Sequence, residues 1–237
     1  MQSNQYSSLI IEFNEEAQSY LEWKPDSNTV AYYPFTSETT TNDMKTSGTK
    51  YNLNVNKNIT FGNYQGANCA YGNSANYYSG LRYTGSTQII PNQNFTWSCW
   101  IYLINTSTDN PRLCSSLGGN PYGVLINNSG KIVCWTTSST NGFQMQTGSW
   151  HMYTVVGSFT SGSYKWYIDG ELVYTWSGGG YNNGTGLSIA GHDNQGGASR
   201  TSDKLNGYFG RWILENAQKD VNRIKDLYQK TRKYYIH

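Results

Sequence analysis

The segment at residues 94–103, NFTWSCWIYL, constrains the fold more than any other part of this chain. Read with the two-residue period of a β-strand, one face carries Phe95, Trp97, Cys99, Ile101 and Leu103, and the other carries Thr96, Ser98, Trp100 and Tyr102. The first set is wholly apolar, so the segment is expected to be a central strand with one fully buried face. The second set is amphipathic: Trp100 and Tyr102 read mainly as core, with a groove on that face as the alternative.

Shorter segments of the same kind recur at residues 29–34, 59–61, 77–83, 121–126, 131–135 and 152–159, each bounded by Gly, Asn, Ser or Pro. Residues 164–176, YKWYIDGELVYTW, predict a hairpin in which Asp169 and Gly170 supply a type I′ turn, with Lys165 and Tyr167 facing away from Trp166 and Ile168. A turn at residues 128–130 joins residues 124–126 to 132–135 in the same way. The composition agrees: 21 Tyr, 8 Trp and 7 Phe stand beside 25 Gly, and only 14% of residues are charged. At 237 residues, regularly spaced strands of this kind predict one all-β sandwich.

The two ends differ from the middle. Residues 1–27 read as an N-terminal arm, with a short helix over 14–23 (NEEAQSYLEW) capped by Asn14. Phe13, Tyr20, Leu21 and Trp23 are its candidate attachment residues; packing onto the arm's own domain is the alternative. Residues 28–237 form the sandwich and end in a helix with Val221, Ile224, Leu227 and Tyr228 at helical spacing, for which Asn216 is the expected cap.

A net charge of +2 lacks the concentrated basic field that nucleic acid requires. No apolar run approaches the roughly 20 residues needed to cross a bilayer, and the first residues carry no secretory pattern. The expectation is therefore synthesis in the cytosol without membrane insertion. Cys69, Cys99, Cys114 and Cys134 have neither zinc-site nor redox spacing and read mainly as buried free thiols, with one or two disulfides as the alternative.

Taken in order, residues 30–35 (VAYYPF) with Asn42 and Asp43, 61–62 with 69–71, 95–101 (FTWSCWI), 150–156 (WHMYTVV), 166–170 (WYIDG), 187–191 (LSIAG), 205–207 and 224–228 resemble the laminin G-like, concanavalin A-like jelly-roll family. The resemblance implies two antiparallel sheets, one of them concave, and binding of glycans or proteins, in some members with calcium at the rim. The wording of residues 32–35 and 227–235 is similar to laminin G-like modules of tail, fibre and decoration proteins of tailed bacteriophages. That implies a virion protein made in the host cytoplasm, present in multiple copies, contacting other virion proteins through the arm and host cell-surface glycan through the sandwich. A spacer module without ligand is the alternative.

A glycosidase on such a fold needs two carboxyl groups about 5–9.5 Å apart. The chain has no Glu-x-Asp-x-x-Glu motif, and its closest pair, Asp169 and Glu171, straddles the predicted turn. His151, His192 and His237 show no Ser/His/Asp or Cys/His arrangement with a recognisable nucleophile elbow. The expectation is thus a protein that is not an enzyme and has no cofactor. The loop at residues 191–200 reads mainly as an ordinary glycine-rich loop; the alternative is calcium, which would need six to eight oxygens, for which Asp193 and Asn194 with Asp109 and Asn110 are candidates. In the binding reading, loops at one end of the sandwich present Tyr181, Asn182, His192, Asp193 and Arg200 to a sugar.

Overall fold

The computed structural model describes residues 22–36, 42–45, 48–72, 80–105, 111–117, 123–127, 129–135, 142–178, 184–191 and 205–236. The long segment at Asn94–Leu103 is a ten-residue strand, and its neighbours on both sides, Trp150–Ser158 and Gly207–Glu215, are nine residues long each. Numbered in chain order, these are β6, β11 and β15. They form the centre of a sheet that continues through β12 (Ser163–Ile168) to β13 (Glu171–Ser177) on one side and through β4 (Ala67–Gly72) to β3 (Ile59–Tyr64) on the other. β1 (Thr29–Tyr33) shares the free edge of β15 with β4: it pairs residues 212–215, whereas β4 pairs residues 207–209.

The second sheet runs β10 (Gly142–Gln144), β9 (Lys131–Trp135), β8 (Gly123–Ile126), β7 (Arg112–Leu117), β14 (Thr185–Ile189), β5 (Gly80–Tyr83), β2 (Val55–Lys57). Every strand pairing within the two sheets is antiparallel. The sandwich and its order of strands agree with the jelly-roll expectation.

Between the sheets lies one core, to which β6 gives Phe95, Trp97, Cys99, Ile101 and Leu103, the alternate set read from its sequence. Trp166 and Ile168 enter the same core from β12, while Tyr167 points to the opposite face and Lys165 to solvent. The hairpin turn has Asp169 at φ 52° and Gly170 at φ 87°, the two left-handed residues of a type I′ turn. All four cysteines are free and buried.

The far side of β6 is core as well, as read for Trp100 and Tyr102, so both faces of the strand are buried and not one. Thr96, Ser98, Trp100 and Tyr102 are buried too, because the end of the chain folds back across that face. The helix α1 (Val221–Thr231) seals it with Ile224, Leu227 and Thr231, whose hydroxyl accepts from Trp100 Nε1 at 2.9 Å. Tyr235 stacks on Trp100, and Tyr228 lies beyond it. Trp100 and Tyr102 therefore belong to a second apolar layer and line no groove.

Asp220, not Asn216, caps α1, accepting from Arg223 N at 2.9 Å. Residues 216–219 are committed elsewhere: Asn216 N donates to Asn28 O, and Thr96 Oγ1 both donates to Ala217 O and accepts from Lys219 N. Val221 is exposed and takes no part in the helix's buried stripe.

Candidate functional site

Antiparallel pairing fixes which connections meet. β6 starts at Asn94 beside Ser158, and Ser163 faces both Ser158 and Ser177, so these residues lie at one end of the sandwich. Gly186 bridges to Gln88 at the same end. At the other end, Ile104 N donates to Asn206 O, and Asn206 Nδ2 donates to Asn105 Oδ1 at 2.7 Å.

Tyr181, Asn182, His192, Asp193, Asn194, Arg200, Asp109 and Asn110 lie outside the described residues. The described residues that flank these segments emerge at both ends of the sandwich. Ser177 and Gly184, which flank Tyr181 and Asn182, emerge at the end where β6 starts. Gly191 and Leu205, which flank the other loop, emerge where β6 finishes, as does Asn105 on the approach to Asp109. Among the described residues no cluster of three His, Cys, Asp or Glu side chains could hold a metal.

Phe13, Tyr20 and Leu21 also lie outside the described residues. Trp23 is buried within its own chain, its ring edge-on to Tyr32 at 5.0 Å. Asp26 ties the same stretch down through Lys219 at 2.9 Å and Arg223 at 3.3 Å. The packed body thus extends back to Trp23.

At the start of β6 a cleft of about 690 Å³ opens between the β5–β6 connection, the β1–β2 connection and the exit of β15. Five of its lining residues carry side-chain amides: Gln88, Asn92, Gln93, Asn94 and Asn216. Ser27, Thr29, Lys45 and Tyr51 complete the polar wall. An amide offers a donor and an acceptor side by side, which suits adjacent sugar hydroxyls. The run PNQN at residues 91–94, directly before the central strand, is the sequence signal for this cleft.

One wall is set by Asp43, whose carboxylate is wholly buried. It accepts from Tyr32 N and Lys45 N with Oδ1 and from Tyr51 N with Oδ2, at 3.0, 3.1 and 3.1 Å. Lys45 Nζ donates to Val30 O at 2.7 Å, lies 3.7 Å from Asp43 Oδ2, and sits 4.4 Å from the centre of the Tyr51 ring. Burial lowers the Lys45 pKa although Asp43 pulls it up. The only cation among the described lining residues is therefore internally paired, and the cleft presents neutral polar groups.

A second cleft, of about 420 Å³, lies at the opposite end, between the start of β11, the β12–β13 turn, Gln65 and the C-terminal residues Tyr235 and Ile236. Here Ser149 Oγ is 2.8 Å from His151 Nε2, and His151 Nδ1 is 2.7 Å from Asp169 Oδ2. Asp169 Oδ1 accepts from Met152 N at 2.8 Å. The sequence reading found no Ser/His/Asp arrangement with a nucleophile elbow; pairing of β11 with β12 assembles one by bringing Asp169 to His151, 18 positions away, beside Ser149.

Residues 73–210, more than half of the chain, match the model of the concanavalin A-like lectin/glucanases superfamily, laminin G type. The chain belongs to that superfamily. No curated protein matches it in sequence. Among solved structures it is similar to Trypanosoma rangeli sialidase in complex with sialic acid, at 12% identity and TM-score 0.62, over 100% of this chain and 40% of that one. It is also similar to the botulinum neurotoxin serotype G binding domain, at 14% identity and TM-score 0.60, over 85% of this chain and 50% of that one. The binding domain of Paraclostridial Mosquitocidal Protein 1 matches at 15% identity and TM-score 0.58, over 85% of this chain and 52% of that one. The chain thus spans about half or less of the length of these proteins, and at such identities the likeness is one of fold.

These matches overturn the expectation that the chain is not an enzyme. Sialidase structures, including a mutant displaying trans-sialidase activity, share its fold over 98% or more of its length. The architecture occurs within enzymes, and the lack of a Glu-x-Asp-x-x-Glu motif does not exclude catalysis.

Proposed function

We propose that the chain is a glycan-binding module and that the amide-lined cleft at the start of β6 holds the sugar. The observation that carries this reading is the set Gln88, Asn92, Gln93, Asn94 and Asn216 converging on one open cleft of about 690 Å³. Amides from the run before β6 and from the exit of β15 meet there, a convergence that the pairing of β6 with β15 produces. Because Lys45 is paired with Asp43, the cleft favours neutral hexoses over acidic ones. Membership in a superfamily of lectins and glucanases supports the same reading.

The resemblance to tail, fibre and decoration modules extends the proposal to its setting. The module would be displayed in multiple copies on a phage particle assembled in the host cytoplasm and would hold glycan of the host surface, with other virion proteins as partners. Co-sedimentation of the full chain with virion subunits tests the setting. A glycan array tests the binding: signal on neutral glycans that disappears in the double variant Gln93→Ala, Asn94→Ala supports the cleft, and unchanged signal in that variant removes it.

A further inference from the structure

The geometry points to a second, hydrolytic site at the opposite end of the sandwich, in which Ser149, His151 and Asp169 form a nucleophile, base and orienting acid for cleavage of a short-chain carboxylic ester. Such a triad is recognised by geometry and roles and not by sequence order. All three roles are filled here. Asp169 is held by Met152 N, so its second oxygen is aimed at His151 Nδ1. With Nδ1 donating to Asp169, Nε2 is left to accept from the Ser149 hydroxyl. Ser149 itself is exposed, whereas the His151 and Asp169 side chains are only 15% and 25% exposed, so the nucleophile faces solvent and its partners are sheltered.

Trp150 lines the same cleft and is 4% exposed. The cleft, at about 420 Å³, admits a small acyl group, with Ile236 offering an apolar wall.

In the reaction, Ser149 Oγ bonds to the acyl carbon while its proton passes to His151 Nε2. The bond from that carbon to the leaving oxygen then breaks, and the Nε2 proton goes to that oxygen, releasing the alcohol. Water next attacks the acyl carbon, giving a proton to Nε2 that returns to Ser149 Oγ as the carboxylic acid leaves. No metal, oxidant or reductant enters the balance. This site is independent of the amide cleft, and either can fail without the other.

The test is treatment of the full chain with a fluorophosphonate, read by intact and peptide mass, alongside hydrolysis of p-nitrophenyl acetate. One adduct per chain, on Ser149, is expected. Ser149→Ala, a change at an exposed side chain, should abolish the adduct and lower hydrolysis at least about a hundredfold. Asp169→Asn is the discriminating variant for the orienting role. Asn-Gly suits a type I′ turn at least as well as Asp-Gly, so the hairpin and the thermal midpoint persist. The amide nitrogen, however, would donate to Nδ1 and turn the imidazole to the wrong tautomer. Loss of labelling rate with an unchanged melting temperature supports the triad. Absence of an adduct on Ser149, or hydrolysis equal in the parent and Ser149→Ala, overturns it.

Discussion

Tyr235 stacks on Trp100 with ring centroids 4.6 Å apart and 11° between the planes, so the penultimate turn of the chain closes the outer face of the central strand. The phenol oxygen of Tyr235 accepts from Arg211 N at 2.8 Å, and the ring lies so close to Gly210 that a Cβ there would collide with it. The contact joins residues far apart in sequence and makes the C-terminal segment part of the sandwich's second apolar layer.

Tyr235→Ala should therefore cost about 3–5 kcal/mol of folding stability, as expected for emptying a buried aromatic site. Tyr235→Phe keeps the stack and orphans only Arg211 N, at about 1 kcal/mol. Urea unfolding of the two variants separates stacking from hydrogen bonding.

Asp43→Asn should cost about 3 kcal/mol. The substitution faces an amide donor toward Tyr51 N, which also donates, and strips the buried Lys45 amine of its counter-charge. Since Lys45 and Tyr51 form a wall of the amide cleft, glycan binding should weaken together with the thermal midpoint. Weakened stability with undiminished binding would detach that wall from the ligand.

Glu215 gives a signed pH dependence. Burial raises its pKa from 4.5 against the pull of Lys219, 3.2 Å away. As pH rises from 4.5 through the raised value, the folded state still holds a proton that the unfolded chain has lost, so stability falls. Glu215→Gln removes that loss: its melting temperature relative to the parent should climb as pH rises above 4.5. Asp26 acts in the opposite sense at lower pH. Burial opposes its charge, but hydrogen bonds from Lys219 and Asn28 N, with the charges of Lys219 and Arg223, hold its pKa below 3.8. Its contribution is lost as pH falls through that lowered value. Thermal melts between pH 3 and 7, roughly, test both signs.

Gly207→Ala should destabilise by about 2–3 kcal/mol. Gly207 lies between Leu103 and Gly72 in β15, and a Cβ there would run into the carbonyl oxygen of Tyr102, a backbone atom that cannot swing aside. A soluble Ala variant with an unchanged denaturation midpoint would refute this reading of the close approach.

Local chemistry made much of the fold legible. Strict alternation along residues 94–103 identified the inward set, because a strand alternates faces whatever surrounds it. The pair Asp169 and Gly170 identified the tightest hairpin, because a type I′ turn needs two left-handed residues. The helix's existence was readable from Ile224 and Leu227, but its start was not: residues 216–219 bond to Asn28 and Thr96, partners nearly two hundred and more than a hundred positions away.

The sites were less legible, since each depends on which strand ends meet. The sequence by itself determined a mostly β sandwich, the faces of β6, the hairpin and the buried state of the cysteines. Only the tertiary structure decided that α1 and Tyr235 bury Trp100, that five amides line one cleft, and that Ser149, His151 and Asp169 come within hydrogen-bonding distance. The physical reason is that alternation and turn geometry act between neighbours along the chain, whereas these three arrangements are set by long-range antiparallel register, which no short stretch of residues encodes alone.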